Sequence, residues 1–354
     1  MIFPTTYEMT LLISVLSMIC WGSWANTLKL AQPKWRFELY YFDFAFGLLV
    51  AAVVAAFTFG SMGDELTFGD NLMIAGKRPM IWAMAAGAVF NLANLLLVAA
   101  ISIAGMSVAF PIGIGLALVV GTAGNYIMDK TGNPMFIFGG IALILIAIVL
   151  DALAYSSRVP AQEPLEPPPD PRARRPKRKN SGPMKAILLS VVGGILMGCF
   201  YPLVLKARAV HTEIGLGPYP IAVFFAVGVF FSTFVYNLYF INLPVQGEAV
   251  QISQYFRGTA KHHLLGFLGG AIWCVGAVAN FVAAAATGKA LIGPAVSYAL
   301  GQGATMISAL WGLLVWKEFK GAGNRSLLLL ALMFVFFLAG LALLALAPRH
   351  TTGG

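Results

Sequence analysis

Residues 160–180 read PAQEPLEPPPDPRARRPKRKN. Prolines at this density forbid a helix, and the charges forbid burial. This segment, with its flanks at roughly 156–183, is predicted to be a disordered, solvent-exposed linker. Five long apolar runs lie before it, at about 7–29, 38–60, 80–102, 105–128 and 134–155. Five more follow, at about 184–208, 218–241, 264–287, 291–316 and 326–347. Since about 20 apolar residues cross the hydrocarbon of a bilayer, each run reads as a membrane span. The predicted fold is an all-α polytopic membrane protein with ten transmembrane helices. Each half holds an odd number of spans, so two copies of one fold would face opposite ways. That is the inverted-repeat arrangement, with a solute site between the halves near mid-membrane. The expected organisation is a first five-helix repeat at 1–155, a basic linker at 156–183 and a second repeat at 184–350.

Composition agrees with a membrane protein. The chain has 354 residues, 59% hydrophobic and 10% charged, whereas soluble domains carry about 25% charged residues. The net charge of +9 is most concentrated in the linker, where seven Lys and Arg face three acids. It points to topology and lipid headgroups rather than to nucleic acid. Lys and Arg number 16 in the linker-side loops and 7 on the other side. The positive-inside rule therefore predicts a cytoplasmic linker and external termini, and the expected location is the plasma (inner) membrane. Glu8 rather than a basic cluster precedes the first run, so no cleavable signal is expected. Cys20, Cys199 and Cys274 all fall in apolar runs without metal-like spacing, and read as small hydrophobes.

Paired markers support a duplication. Lys29 near the end of the first run matches Lys206 near the end of the sixth. Asn94 matches Asn280, Gly113 matches Gly301, and Asp129-Lys130 matches Lys317-Glu318. The third and fourth runs join around Gly105, and the eighth and ninth around Gly288 to Leu291, each as a tight antiparallel hairpin.

Asp43 is the sharpest candidate for chemistry, set inside the second run between Phe42 and Phe44. An acid at a helix centre costs about 2.5–3.5 kcal/mol on insertion scales, and intramembrane acids commonly serve as proton relays or ligands. An interfacial Asp43 is the ordinary alternative. Asn26, Asn91 and Asn94 offer amide donors and acceptors suited to hydroxyl-rich or ureide-type solutes. They equally suit interhelical hydrogen bonding. In the ninth run, Tyr298 and Gln302 are the second-half binding candidates, with Trp24, Asn280 and Ser297 as weaker ones. Trp21, Trp24, Trp273 and Trp311 could stack on a ring or merely face lipid. The glycines of the fourth and ninth runs suit close helix approach or interrupted helices. The four histidines are expected in loops or the tail. Zinc, nucleophile-elbow and phosphate-loop motifs are missing, so neither an enzyme nor a cofactor is expected.

Three stretches carry a family resemblance: CWGSWANTLKLA (20–31), NLANLLLVAAISIAGMSVAFPIGIGLALVVG (91–121) and WKEFKGAG (316–323). They resemble the glucose/ribose porter, or sugar uptake, branch of the drug/metabolite transporter superfamily, to which ureide permeases are also similar. The resemblance implies two inverted five-helix repeats around a central pocket. It also implies uptake of a small polar solute, a sugar or ureide-like molecule, often with protons. Ureide permeases carry a nucleotide-binding-like motif in their central loop; this linker lacks it. The expected function is secondary active import by alternating access. The expected partners are the solute, protons or membrane potential, the bilayer and a second copy of the chain, but no nucleic acid. Export of metabolites or lipophilic drugs, and a non-transporting scaffold or receptor, are the alternatives.

Overall fold

The computed structural model describes residues 1–32, 35–63, 66–104, 106–157, 183–208, 213–243 and 249–350. Most of the expected linker (158–182), the Gly105 turn and His211 lie outside these residues. All the helices and strands assigned among the described residues are helices. In chain order they are α1 (Tyr7–Ser23), α2 (Ala25–Ala31), α3 (Phe37–Phe57), α4 (Phe68–Ile74), α5 (Lys77–Ala104), α6 (Met106–Met128), α7 (Pro134–Ser157), α8 (Pro183–Arg208), α9 (Pro218–Asn242), α10 (Ala260–Ala285), α11 (Pro294–Gly301), α12 (Ala304–Leu310) and α13 (Asn324–Leu346). Nine stretches among the described residues are long and apolar enough to cross a membrane, and Ile112–Met128 in α6 is a shorter apolar helix.

Local chemistry sets the helix ends. Thr6 caps α1 by accepting from the Met9 amide at 3.3 Å. Thr67 and Asp70 form a reciprocal capping box on α4, which satisfies two amides that a helix start leaves bare. α10 begins at Ala260, earlier than the apolar run suggests. Thr259 and His262 form a capping box there, and the ring Nδ1 accepts from the Thr259 amide at 3.3 Å. His262 and His263, expected in a loop, therefore stand on the first turn of a helix. The ninth span is interrupted. It starts after Gly293, whose φ of +77° favours glycine. It tightens at Gln302 and Gly303, then widens over Trp311–Val315.

The halves are interleaved. α5 packs on α8 and α9, α6 on α8, α3 on α9 and α10, and α1 on α10, α11 and α12. These pairings come in twos under the expected repeat. α5 on α8 matches α10 on α1; α6 on α8 matches α11 and α12 on α1; α3 on α10 matches α9 on α5. Glycines let two of the matched pairs touch backbone to backbone. A Cβ on Gly47 would lie 2.0 Å from the Phe267 carbonyl oxygen, and one on Gly270 would lie 1.9 Å from that of Phe44. In the matched crossing, a Cβ on Gly87 would lie 2.0 Å from Phe225 O and one on Gly228 would lie 2.1 Å from Met84 O.

The bundle has two ends. The linker end gathers the ends of α2 and α7 with the starts of α3, α10 and α13, tied by Lys29–Glu318 and Ser157–Ser326. The terminal end gathers both chain ends. There Tyr219 donates to Ile2 O at 3.0 Å, Asn133 donates to His350 O at 2.9 Å, and Arg349 pairs with Glu8.

Candidate functional site

The halves meet around an aromatic core. Trp21 of α1 stacks on Trp273 of α10, with ring centres 5.7 Å apart and planes at 21°. Trp273 stacks in turn on Phe225 of α9 at 5.6 Å, and Phe90 of α5 closes on it at 4.3 Å. Tyr201 and Phe200 of α8 and Tyr298 of α11 extend the cluster. These rings are at most 5% exposed apart from the half-buried Trp21, so the centre is closed in this conformation.

A polar seam runs beside the stack. Asn280 of α10 donates to Ser297 O at 2.9 Å and to Ser17 Oγ at 3.4 Å. Ser297 Oγ and Tyr201 OH donate to the Asn280 carbonyl at 3.0 and 3.4 Å. The Asn280 side-chain oxygen is buried without a partner. A buried acceptor left empty costs about 1–3 kcal/mol, so such a group asks for a donor. Tyr298 OH donates to Ala117 O at 3.1 Å, tying α11 to α6. Gln302 stands where α11 ends. Its backbone amide closes the turn onto Tyr298 O and Ala299 O, and its half-buried side chain makes no hydrogen bond among the described residues.

The other predicted residues do not join this seam. Asn91 donates to Val229 O, Ser232 Oγ and Thr233 Oγ1 on α9, with its own oxygen unpaired. Asn94 donates to Tyr41 OH on α3 at 3.1 Å. Asn26 accepts from Trp316 Nε1 at 2.6 Å, at the linker end. Trp24 packs against Phe44 at 5.0 Å, and Trp311 Nε1 donates to Ser23 Oγ at 2.8 Å. Three of these asparagines thus crosslink helices in this conformation, as the interhelical alternative supposes.

Asp43 is buried, at 7% exposure, and belongs to a separate cluster at the linker end. It accepts from Tyr255 OH at 2.6 Å through Oδ1, and Oδ2 meets His263 Nδ1 at 2.9 Å. When Asp43 is ionised its oxygens can only accept, so Nδ1 carries the hydrogen. Burial, reinforced by the Asp43 acceptor, pushes the Tyr255 hydroxyl well above the usual tyrosine range. Tyr255 is therefore a constant donor at physiological pH. Trp35 lids the cluster, stacking on His262 at 4.8 Å and meeting His263 edge-on at 5.5 Å. Gly266 makes room for the acid, because a Cβ there would lie 2.6 Å from Asp43 Cβ.

A cavity of about 290 Å³ at the terminal end lies among Met9, Ile13, Ala51, Ala55, Val275 and Val282. Its walls are almost wholly apolar, unlike those of the seam.

Sequence reasoning missed Tyr255 and His263, which sit in a polar stretch more than 200 positions from Asp43. It also missed the half-buried acid Asp151 in α7, whose buried Oδ1 has no hydrogen-bond partner. The signal was present in the apolar run but lay close to the span's expected end.

Relatives of known family give this geometry a context. The chain is 24% identical to Ureide permease 4 of Arabidopsis thaliana over 395 residues, covering 95% of this chain and 96% of that protein. Ureide permease 2 of the same plant is also 24% identical, over 388 residues and the same shares. Probable ureide permease A3 of Vigna unguiculata is 30% identical over 148 residues, 40% of this chain and 39% of its own. One solved crystal structure superposes on 98% of this chain and 100% of its own, with a TM-score of 0.58 at 14% identity, a likeness of fold alone. The ureide permease family profile matches residues 40–166 and 174–347. With its long apolar helices interleaved across the two halves, this chain is an integral membrane protein and belongs to the ureide permease family.

Proposed function

We propose that this protein is a secondary carrier of a small polar solute, with the polar seam at Asn280 and the Trp21–Trp273 stack as its binding site. The observation that carries the reading is the unpaired Asn280 oxygen, buried where α1, α8, α10 and α11 meet beside stacked rings. It calls for a solute that donates N–H or O–H and presents a flat face. Ureides, the solutes for which the relatives are named, have both properties; a sugar offers donors and a less planar face, and is the second candidate. Tyr298, Ser297 and Gln302 complete the site. Asn91 and Asn94 join it when α5 shifts against α9 and α3.

In this reading the chain has ten spans in two inverted five-helix repeats, as in the drug/metabolite transporter superfamily. The paired helix contacts and paired glycine crossings support that symmetry. Alternating access would part α1 from α12 at the linker end, or α8 from α6 at the terminal end. The linker faces the cytoplasm and the termini face outward, following the charge bias. Asp43, with fixed donors on both oxygens, is the coupling acid, exchanging a proton as His263 and Tyr255 hold its geometry. The alternative of export of lipophilic compounds draws on the apolar cavity near Met9 and Val282.

Thermal unfolding of the purified protein against cyclic ureides, open-chain ureides, hexoses and a lipophilic cation separates these readings. A ligand at 100 times its Kd stabilises the folded state by about 2.7 kcal/mol. We expect the shift with ureides and its loss in Gln302→Ala, whose apo stability should stay within about 0.5 kcal/mol because that side chain makes no hydrogen bond among the described residues. Stabilisation by the lipophilic cation alone would overturn the polar-solute reading.

A further inference from the structure

A cation that the proposed binding site does not use joins α8 to α10 at the terminal end. α8 packs mainly on α5 and α6, and α10 on α3 and α1. The hydrogen bonds described between α8 and α10 come from two long side chains of α8. Tyr201 OH reaches the Asn280 carbonyl at 3.4 Å, inside the polar seam. Two helical turns nearer the terminal end, Arg208 reaches the last turn of α10. There Nη1 donates to Ala284 O at 2.7 Å and Nη2 to Ala285 O at 3.4 Å. Arg208 therefore crosses from α8 to α10 on the terminal side of the seam. Its backbone is fixed from behind. The Leu216 amide donates to Ala207 O at 2.9 Å, and a Cβ on Gly215 would lie 1.9 Å from Arg208 O. Only the side chain is left to swing.

Arg208 is half-buried and makes no ion pair among the described residues. Glu213, the next acid along the chain, is engaged by Arg78, through a side-chain pair at 3.6 Å and the Arg78 amide at 3.1 Å. The neighbouring charges on α8 and after α10 are positive too. Lys206 is exposed and stands 4.6 Å over the Trp82 ring, and Lys289 is exposed in the turn that follows α10. Under the Lys29–Lys206 match, Arg208 corresponds to the apolar Ala31. The last carbonyls of a helix lack partners within it, and a basic side chain commonly serves them. That task needs donors but no net charge, and an amide side chain could do it. A guanidinium presents five N–H donors in one plane, a geometry that suits a carboxylate. A carboxylate supplies the opposite charge and two parallel acceptors together, which Ala284 O and Ala285 O do not.

We propose that Arg208 recognises the solute at the terminal end, and that the solute is a ureide carrying a carboxylate. This rests on the carrier reading above and names its substrate class: ureido acids, in which a planar N–C(=O)–N group and a carboxylate share one small molecule. The carboxylate draws Nη1 and Nη2 away from the Ala284 and Ala285 carbonyls, which are left to water. The tie between α8 and α10 is released, and the ureide group passes inward to Asn280 and the Trp21–Trp273 stack. Lys206 and Lys289 raise the local concentration of anions at this mouth. Hydrogen bonds and ion pairs are exchanged, and no covalent bond changes.

Two probes separate charge from shape: hydantoate, an open-chain ureido acid, and hydantoin, the neutral ring it forms by losing water. Their affinities for the full-length protein are read from ligand-dependent thermal unfolding at neutral pH, where the carboxyl is ionised. Wild type should bind hydantoate about tenfold more tightly than hydantoin, and added salt should shrink that ratio. Arg208→Gln keeps an amide donor for the α10 carbonyls. It should bind hydantoate no better than hydantoin, with its hydantoin affinity within about twofold of wild type. Arg208→Lys keeps the charge without the planar fork and should retain part of the preference. Equal loss of both probes in Arg208→Gln, with a cooperative melt intact, would make Arg208 a structural tie and overturn the proposal. A preference for hydantoate that survives in Arg208→Gln would overturn it as well. Hydantoin bound as tightly as hydantoate by wild type would do the same and leave the carrier reading standing. Binding of neither probe would remove the ureide carrier reading itself, and this assignment with it.

Discussion

At the scale of single residues, Asp43 shows how an acid is kept inside an apolar helix. Hydrogen bonds to a charged group contribute about 1.5–3 kcal/mol each, and every buried partner left empty costs about 1–3 kcal/mol. Asp43→Ala leaves Tyr255 OH and His263 Nδ1 without their acceptor, so chemical unfolding in detergent should show a loss of about 2–5 kcal/mol from those two groups. Asp43→Asn keeps one acceptor oxygen and should lose less than half of that, and under the proposed coupling it should abolish proton-driven uptake. Full uptake by Asp43→Asn with an unaltered pH profile would remove Asp43 from the coupling step. Tyr255→Phe should lower stability by about 1–2 kcal/mol, equally at pH 5 and pH 9, because burial keeps that hydroxyl protonated across the range. Asp43 was legible because a charge inside an apolar run stands out against its neighbours. Its partners were not, because hydrogen bonds formed across the fold leave no local pattern. Asp151 stood four positions from the expected end of its span, where an acid reads as wet.

At the scale of elements, helix position was legible and helix contact was not. Apolar length alone located the spans to within a few residues, since hydrocarbon thickness leaves little choice. The start of α10 was missed because Lys261, His262 and His263 broke the apolar run. The histidine in its capping box replaces the usual Glu or Gln. The break in the ninth span was foreshadowed by Pro294, Gly301 and Gly303. The glycines that matter most for packing, Gly47, Gly87, Gly228 and Gly270, gave no such signal. They lie in apolar runs with other small residues nearby, and only the fold reveals that a carbonyl oxygen lies 1.9–2.1 Å from where each Cβ would stand. Alanine at any of the four must separate two backbones, and overpacking of this kind costs about 1–3 kcal/mol or more. Gly323→Ala is the matched control, with φ at −68° and nothing within 4 Å of the added carbon. Thermal unfolding should place all four crossing variants well below wild type and Gly323→Ala beside it. Equal melting of Gly47→Ala and Gly323→Ala would mean that the α3–α10 crossing is looser than described.

At the scale of the whole molecule, the interleaving decides what counts as a folding unit. The linker divides the sequence at 158–182, yet the extensive contacts of α5 and α6 are with α8, and those of α1 are with α10, α11 and α12. The aromatic core likewise draws Trp21 and Phe90 from one side of the linker and Phe200, Phe225 and Trp273 from the other. Either half alone would expose the glycine crossings and the polar seam to lipid, with Asn91 stripped of its α9 partners and Asn280 of Ser17 where water cannot replace them. The two sides of the linker therefore need not be two stable domains. Expressing residues 1–157 and 183–354 as separate chains tests this directly. Together they should copurify and melt as one cooperative unit, because no contact described between the helices runs through the severed segment. Each alone should aggregate in detergent or show no cooperative melt. The ureide-induced stabilisation should survive in the co-expressed pair, since Asn280, Ser297 and Trp273 meet Ser17 and Trp21 only across the cut. A single half that melts cooperatively by itself would show that the core lies within that half. The binding site would then have to be sought there, away from the seam between the halves.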